Sequence, residues 1–285
     1  MATPSKQLLE TIKHHVTLAL NEDIGSGDIT AQLIPEANTL VAHVVSREPA
    51  VLCGTAWAEE VFAQLDPSVT LEWLAKEGDD LEVNQPFLKL SGNARSILTG
   101  ERTALNYIQM LSYTATISRR YAALVADQPL AILDTRKTIP TFRLAQKYAI
   151  EVGGAQNHRV GLYDAFLIKE NHIMAAGSID AAVRQAHQVA PGKPIEVETE
   201  NLDEVAQAVS AGAHIIMLDN FSLEDMATAV KTHQGTVKFE ASGNMTDEHI
   251  KAVAATGVDY ISVGALTKHI QAIDLSLRVI EEKRT

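Results

Sequence analysis

The second half of the chain alternates short apolar runs with stretches of helical character, and this alternation restricts the fold more than any other feature. It is typical of repeated strand and helix units around a parallel sheet. The six runs are LAILD (130–134), AFLIK (165–169), PIEVE (194–198), IIMLD (215–219), VKFEA (237–241) and YISVG (260–264). We therefore expect an α/β barrel that resembles a TIM barrel and has fewer than eight regular units.

Charged residues stand at the ends of four of these runs: Asp134, Lys169, Glu198 and Asp219. In an α/β barrel the carboxyl ends of the strands form one face, and that face carries the active site. The four charges are far apart in the chain, but this architecture predicts that they converge on one mouth.

The intervening segments carry helix start and stop signals. Two capping acceptors stand three residues before an acid, at Ser222 and Asn201, as expected at a helix start. The segments EVAQAVSAGAHIIMLDN and HIKAVAATGVDYISVGAL repeat one pattern of helix, glycine and strand, with Gly212 and Gly257 at the turn. This repetition indicates stacked equivalent units.

The first part of the chain has a different pattern. It begins with an amphipathic helix and continues with strand-like segments at 40–48, 69–75 and 86–92, separated by turn residues. We expect an N-terminal α+β sandwich domain with an antiparallel sheet over residues 1–113, rejoined by residues 270–285. A long helix from about 99 to 127 leads into the barrel domain, residues 114–269.

Charge is distributed unevenly along the chain. The formal net charge is −12, but from Arg136 to Lys169 six Lys or Arg residues face two acids. An acidic surface repels polyanions, so we expect no nucleic-acid partner and no membrane surface as partner. A local pocket for a small, multiply charged anion fits this pattern better.

A single cysteine, Cys53, excludes an internal disulfide framework, and we interpret it as a small buried hydrophobic residue. The sequence starts without an apolar secretory segment and has no apolar run of about 18 residues, the length that spans a bilayer. We expect a cytoplasmic protein.

Seven motifs resemble the quinolinate phosphoribosyltransferase family: EDIGSGDIT (22–30), GERTALN (100–106), DTRKTIP (134–140), GGAQNHRVGLYDAFLIKENHI (153–173), EVE (196–198), MLDN (217–220) and EASGN (240–244). The resemblance implies that phosphoribosyl pyrophosphate and quinolinate are the substrates. Nicotinate mononucleotide, pyrophosphate and carbon dioxide would be the products, made with magnesium and without an organic cofactor.

The resemblance also implies which cations bind substrate. The positions expected to hold the two carboxylates of quinolinate are Arg136, His158, Arg159 and Lys169. Arginine suits this task because its planar fork can bind a carboxylate through two hydrogen bonds. By the same resemblance, Arg102 reaches the active site of a neighbouring subunit, which implies an obligate homodimer. His172 is a candidate for a supporting role.

Three further residues resemble the family's catalytic positions. Lys137 would stabilise the negative charge that develops on departing pyrophosphate. Glu198 and Asp219 would face it as an acidic pair that holds magnesium, directly or through water. Glu196 has the same strand parity as Glu198 and is a weaker second candidate.

Two short segments near the ends of the last strands predict a phosphate site. ASGN (241–244) and VGALT (263–267) lie where barrels bind phosphate through backbone amides. We expect Ser242, Gly243, Gly264 and Ala265 to hold the 5-phosphate of the ribose.

Two alternatives remain open from the residues alone. One is a barrel lyase that uses Lys137 or Lys169 to form a Schiff base with a carbonyl substrate. The other is a non-catalytic anion-binding relative, which would not require Lys137, Glu198 or Asp219. Borohydride trapping would identify the lyase, and saturable anion binding without turnover would identify the binder.

Overall fold

A computed structural model describes residues 5–283, which fall into two compact units. The first unit takes the chain up to residue 119, residues 140–154, and the chain from residue 269 onward. The second unit takes residues 120–139 and 155–268. Within residues 5–283, no helix is both long enough and apolar enough to cross a bilayer.

The first unit is an α+β structure built on an antiparallel sheet. Its elements are α1 (Lys6–Ile24), a 3-10 turn (Ala31–Leu33), β1 (Thr39–Ser46), β2 (Ala50–Val51), α2 (Thr55–Leu65), β3 (Thr70–Trp73), β4 (Asp80–Leu81), β5 (Pro86–Asn93), α3 (Ala94–Ala123, which ends in the second unit), α4 (Arg143–Val152) and β12 (Leu275–Lys283). Four strands pair in the order β12, β1, β5, β3, and β2 pairs with β4. The predicted N-terminal helix and antiparallel strands are present, and β12 pairs with β1.

Apolar periodicity explains these elements. In α1 the residues Leu8, Ile12, Val16 and Leu20 are buried along one helical face, as their spacing predicts. The hydroxyl of Ser5 accepts the backbone N–H of Leu8 at 3.2 Å and caps the helix start. Helix α1 therefore covers the core of the first unit.

Helix α4 lies in the first unit, although the predicted domain division counted its residues with the barrel. Its Ala145, Tyr148 and Ala149 are buried in the same core as α1 and α2. The ring of Phe142, just before the helix, lies 5.6 Å from the ring of His15. Apolar side chains of α4 complete the first core, which accounts for its position.

The second unit contains a parallel sheet with helices between the strands. Its elements are β6 (Ala131–Leu133), β7 (Phe166–Ile168), α5 (Glu170–Ala176), α6 (Ile179–Val189), β8 (Ile195–Thr199), α7 (Leu202–Ala211), β9 (Ile215–Asp219), α8 (Leu223–His233), β10 (Lys238–Ser242), α9 (Asp247–Ala254), β11 (Tyr260–Ser262) and α10 (Ala265–Lys268). The strands pair in the order β6, β11, β10, β9, β8, β7. All six predicted apolar runs form strands, and the predicted α/β class is confirmed.

Strands β6 and β7 stand at the two edges of this hydrogen-bonded order, and no ladder joins them within residues 5–283. A single parallel bridge pairs Leu133 of β6 with Gln156, which precedes β7 in the chain. The segment around Gln156 thus occupies the free edge of β6 in place of a full closing strand.

The predicted capping residues mark the helices that follow the strands. Ser222 Oγ accepts the N–H of Asp225 at 3.1 Å, and Asn201 Oδ1 accepts the N–H of Glu204 at 3.0 Å. Gly212 ends α7 with a φ of 87°, in the left-handed region that favours glycine. These caps fix where α7 and α8 begin after β8 and β9.

Candidate active site

A cavity of roughly 320 Å³ opens at the carboxyl ends of the parallel strands, within the second unit. Five basic side chains line it: Arg136, Lys137, His158, Arg159 and Lys169. The other lining residues are Thr135, Leu167, Glu198, Met217, Glu240, Ser242 and Ser262. The structure thus gathers the predicted basic cluster, together with Glu198 and Ser242, around one space.

The end of β6 organises the first side of the cavity. The carboxylate of Asp134 is fully buried and accepts the backbone N–H of His158 at 2.7 Å. Backbone hydrogen bonds run from Gln156 N to Ile132 O and from Asp134 N to Gln156 O. The segment that carries His158 and Arg159 is therefore fixed to the strand that leads to Arg136 and Lys137.

The turn after Arg159 is closed by one acid. The Asp164 carboxylate accepts the N–H groups of Val160 and Gly161, at 2.6 and 2.9 Å. Arg159 Nη1 donates to the carbonyl of Ala165 at 3.1 Å, which limits the freedom of the guanidinium. Burial, with a further contribution from the charge of Arg136, lowers the pKa of Arg159. Two guanidinium groups so placed favour an anionic ligand between them.

His158 lies against two buried acids from different strands. Its Nε2 is 2.9 Å from Glu196 Oε2 of β8 and 3.4 Å from Glu240 Oε2 of β10. Its Nδ1 accepts the backbone N–H of Arg159 at 2.7 Å. Both ring nitrogens of His158 thus contact protein groups, and its role in binding the dicarboxylate stays a prediction.

The pKa values of His158 and Glu196 are both raised in this cluster. Burial lowers the pKa of His158, but hydrogen bonds and charges from Glu196 and Glu240 outweigh that effect and raise its pKa to about 10. Burial also raises the pKa of Glu196 to about 7, against the opposing effect of His158. His158 and Glu196 therefore retain their protons to higher pH than they would in water. Because Nδ1 accepts an N–H, the geometry places the extra proton between the carboxylates.

Lys169 and Glu198 face each other across the cavity mouth. Lys169 follows the end of β7, and Glu198 lies in β8. The Lys169 Nζ donates to Glu198 Oε2. Lys169 is also the cap residue of α5, where its N–H donates to His172 Nδ1 at 3.0 Å. The supporting role expected of His172 stays a prediction.

Lys137 is exposed, but its backbone is held on both sides. Its N–H donates to Thr135 Oγ1 at 3.1 Å, and its carbonyl accepts the hydroxyl of Thr267 at 2.9 Å. A Cβ added to Gly264 would lie 3.2 Å from Lys137 Cδ. The absence of a side chain at Gly264 therefore leaves room for the lysine.

Four of the predicted residues lie beside the cavity but are not among the side chains that line it: Asp219, Gly243, Gly264 and Ala265. Asp219 ends β9 in register with Ser242, and its Oδ2 accepts from Asn220 Nδ2 at 2.9 Å. Gly243 has a φ of 147°, and a Cβ there would approach Asn220 Oδ1 to 2.9 Å. Glycine is favoured at position 243, because a side chain there would meet Asn220 and the φ angle suits glycine.

Arg102 lies on α3 in the first unit, where its side chain is exposed. It does not line the cavity of the second unit. Its predicted contribution to a neighbouring subunit's site stays a prediction.

The sequence predicted no role for Glu240 or Ser262. It placed Asp134 at the end of a strand but did not predict its structural role. Glu240 stands two residues before Ser242 on β10, so strand parity places both on one face. Strand parity is the sequence signal that relates Glu240 to Ser242, as it relates Glu196 to Glu198. The predicted shared face of Glu196 and Glu198 is consistent with the structure, where one contacts His158 and the other lines the cavity.

The donor chemistry of Glu198 and Asp219 suits magnesium, which prefers carboxylate oxygens and keeps several waters. Within residues 5–283, neither acid belongs to a cluster of three or more side chains with metal-ligand spacing. One oxygen of Glu198 contacts Lys169. These residues fit a metal that is shared with substrate phosphates better than one held by protein groups alone.

Two family models match the chain. The model of the C-terminal domain of quinolinate phosphoribosyl transferase matches residues 114–278, and that of the N-terminal domain matches residues 28–112.

Individual relatives match over almost the full length. A "probable nicotinate-nucleotide pyrophosphorylase [carboxylating]" of Synechocystis is 44% identical over 265 residues, covering 92% of this chain and 90% of the relative. A "quinolinate phosphoribosyltransferase [decarboxylating] 2b, mitochondrial" of Nicotiana tabacum is 38% identical and covers 99% of this chain and 84% of its own length. The solved nicotinate-nucleotide pyrophosphorylase of Francisella tularensis has 50% identity and a TM-score of 0.94, with 98% and 100% of the two chains covered.

Proposed function

This chain belongs to the quinolinate phosphoribosyltransferase family, and we propose that the cavity at the carboxyl ends of its parallel strands is where the reaction takes place. The enzyme transfers the phosphoribosyl group of phosphoribosyl pyrophosphate to quinolinate with decarboxylation. Nicotinate mononucleotide, pyrophosphate and carbon dioxide are formed, in the biosynthesis of NAD. The observation that carries the proposed site is the convergence of Arg136, Lys137, Arg159, Lys169 and Glu198 on one cavity.

The two carboxylates of quinolinate would bind between Arg136, Arg159 and Lys169. Two arginine forks match two planar carboxylates, and the turn closed by Asp164 positions one fork before the substrate arrives. Lys169 would exchange its contact with Glu198 for one with substrate. His158 would border the ring of the substrate with its own ring face.

The phosphoribosyl group would occupy the neighbouring edge of the cavity. Backbone amides at Ser242, Gly243, Gly264 and Ala265 would receive the 5-phosphate, because β10 and β11 end there and glycine leaves the backbone accessible. Lys137, beside Gly264, would then face the diphosphate.

In the reaction, the ring nitrogen of quinolinate forms a bond to the ribosyl carbon as the bond to pyrophosphate breaks. Lys137 neutralises charge on the leaving diphosphate, and Glu198 and Asp219 face the positive charge on the ribosyl carbon. The nitrogen then carries a positive charge, which stabilises the electron pair that stays on ring carbon 2 when the 2-carboxylate departs as carbon dioxide. A proton from water replaces it on the ring carbon, so the step needs no organic cofactor.

We assign magnesium to Glu198 and Asp219, with binding through water or directly. When bound, the ion neutralises diphosphate charge and orients the leaving group. Glu198→Gln and Asp219→Asn should each raise the magnesium concentration required for half-maximal activity. An unchanged magnesium requirement in both variants would remove these acids from the metal site.

Arg102 is proposed to complete the site of a second subunit, which makes the active enzyme a homodimer. Arg102→Ala and Lys137→Ala variants, each inactive alone, would be dissociated, mixed and reassociated. Random pairing should restore about a quarter of wild-type activity, since half of the dimers carry one intact site. No recovery in verified mixed dimers would show that Arg102 acts within its own chain or outside the site.

We also propose a cytoplasmic location, for which the free, buried Cys53 is the support.

The dicarboxylate assignment has a direct binding test. Calorimetry with quinolinate should show about tenfold or more weaker binding to Arg159→Lys, because lysine cannot form the bidentate contact. Arg184→Lys is the matched control, since Arg184 is exposed on α6 and pairs with Asp180. Equal affinity of Arg159→Lys and wild type would exclude Arg159 from quinolinate binding.

A further inference from the structure

Glu240 stands beneath an anion site although it is itself an acid. Its side chain is fully buried, and neither carboxylate oxygen has a hydrogen-bond partner among the described residues beyond the 3.4 Å approach of His158 Nε2. A buried carboxylate is costly unless it is paired, and here it also adds negative charge near an incoming dianion. Its presence at this place calls for a function that offsets both costs.

His158 is the group that Glu240 reaches, and three strands hold that histidine. Asp134 at the end of β6 accepts its backbone N–H, while Glu196 of β8 and Glu240 of β10 face its Nε2. Strand β9 lies between β8 and β10 in the sheet. The two acids thus approach one ring from strands that are not neighbours, which fixes its orientation from two directions.

The ring passes this constraint to Arg159. The Arg159 N–H donates to His158 Nδ1 at 2.7 Å, so a change in the ring plane moves the backbone that carries the guanidinium. Arg136 is the other cation facing Arg159, and Asp164 closes the turn that follows. The charged groups near His158 thus include Asp134, Glu196, Glu240 and the two arginines, and Lys137, Lys169 and Glu198 line the same cavity.

We propose that Glu240 is a positioning residue: with Glu196 it holds the His158 ring, and through the His158 Nδ1 to Arg159 N–H hydrogen bond it sets the place of the Arg159 guanidinium in the anion cavity. The proposal deepens the proposed function and rests on the assignment of this cavity to quinolinate.

The same three side chains have the spacing of a metal site, since one atom from each lies within 4.8 Å of the others. A metal would need the Nε2 lone pair of His158. Nδ1 already accepts the Arg159 N–H, so the ring proton belongs on Nε2, which lies 2.9 Å from Glu196 Oε2 and then offers no lone pair to a metal. Metal occupancy is therefore an outcome that the experiment must detect.

The kinetic test compares Glu240→Gln, Glu240→Asp and the control Asp259→Asn. Asp259 accepts the N–H of Phe239 of β10, the strand that carries Glu240. It contacts the amino end of β10, opposite to the cavity end, where it pairs with Lys238. Loss of position should raise the KM for quinolinate about tenfold or more in Glu240→Gln, as for other residues that orient a ligand-binding group. The KM for phosphoribosyl pyrophosphate and kcat should change far less, and Glu240→Asp should recover part of the loss.

Electrostatics alone predicts the opposite result. Removing a negative charge beside an anion site should lower the KM for quinolinate, so a lowered or unchanged KM in Glu240→Gln overturns the proposal. Wild type would also be treated with a chelator and then supplied with magnesium alone. If its KM for quinolinate then equals that of Glu240→Gln, the cluster holds another metal and the proposal is overturned.

A spectroscopic arm does not depend on turnover. In 15N-histidine NMR of the intact protein, the His158 ring should keep one protonation form between about pH 6 and about pH 8.5, because the acids hold its proton. In Glu240→Gln the ring should titrate within that window. If Glu240→Gln does not fold, wild type alone decides, because a His158 ring that titrates near its ordinary pKa overturns the proposal. A protein inactive with quinolinate but with this NMR behaviour would refute the assigned substrate and leave the positioning of His158 intact.

Discussion

The buried carboxylate of Asp134 accepts the backbone N–H of His158 at 2.7 Å, and this bond joins two parts of the site that are 24 residues apart. Asp134 ends the run that leads into Arg136 and Lys137, while His158 begins the turn that carries Arg159. The Asp134 side chain therefore helps to hold the two arginine-bearing segments together, alongside the backbone bonds between β6 and Gln156.

Asp134→Ala should damage both stability and activity. Loss of a charged acceptor from a buried N–H costs about 2 kcal/mol or more of unfolding free energy, and the His158 segment loses its anchor. Asp134→Asn retains an acceptor oxygen and should lie between Asp134→Ala and wild type in both properties. Urea unfolding and steady-state kinetics measure the effects, and a fully active Asp134→Ala enzyme would show that the anchor is dispensable.

Arg136→Ala and Lys137→Ala should each abolish turnover while the fold stays intact. Both side chains line the cavity, and neither is among the buried residues that support the core. Lys238→Ala is the control, because Lys238 is exposed at the amino end of β10. Product formation measures turnover, and circular dichroism measures whether the fold is intact. Activity near wild type in both variants would place Arg136 and Lys137 outside the site.

Glu198→Gln should separate catalysis from quinolinate binding. The substitution removes a carboxylate that faces the ribosyl carbon, so kcat should fall about 100-fold or more. It also weakens the hold on Lys169, so the KM for quinolinate should stay the same or fall. Initial rates over a range of quinolinate concentrations test both parts, and a raised KM with unchanged kcat would contradict them.

The His158 cluster should make stability depend on pH. Folding raises the pKa of His158 from 6.5 to about 10, so the folded protein binds more protons than the unfolded chain. The stabilising contribution is fully present below pH 6.5 and is lost as the pH rises through about 10. Glu240→Gln removes one cause of the shift, so its unfolding free energy should fall less steeply over this window. Urea denaturation at a series of pH values measures the slopes. Asp259→Asn should follow wild type, and parallel curves for wild type and Glu240→Gln would be inconsistent with the cluster.

Much of the fold follows from local sequence signals. The strand that ends at Asp219 has the predicted bounds, because an apolar run with a charged end is a strong strand signal. Caps at Ser222 and Asn201 could be read from their spacing to the next acid. The position of α4 could not be predicted from the sequence. The composition of its apolar face, at Ala145 and Tyr148, fits the core of the first unit and that of the second equally well.

The site was predictable where a charged residue ends a strand and hidden where the role depends on topology. Glu196 and Glu240 are 44 residues apart, and only the sheet order brings both to His158. The sequence shows that His158 belongs to a basic segment, but not that its ring nitrogens face protein groups. Such contacts depend on strand register, which no local pattern encodes.

The most direct measurement of the central claim uses quinolinate labelled in its 2-carboxylate, phosphoribosyl pyrophosphate and magnesium with the purified enzyme. The account predicts labelled carbon dioxide and nicotinate mononucleotide in equal amounts, dependent on phosphoribosyl pyrophosphate and absent with Lys137→Ala. No release of carbon dioxide by wild type, or equal release by Lys137→Ala, would contradict it.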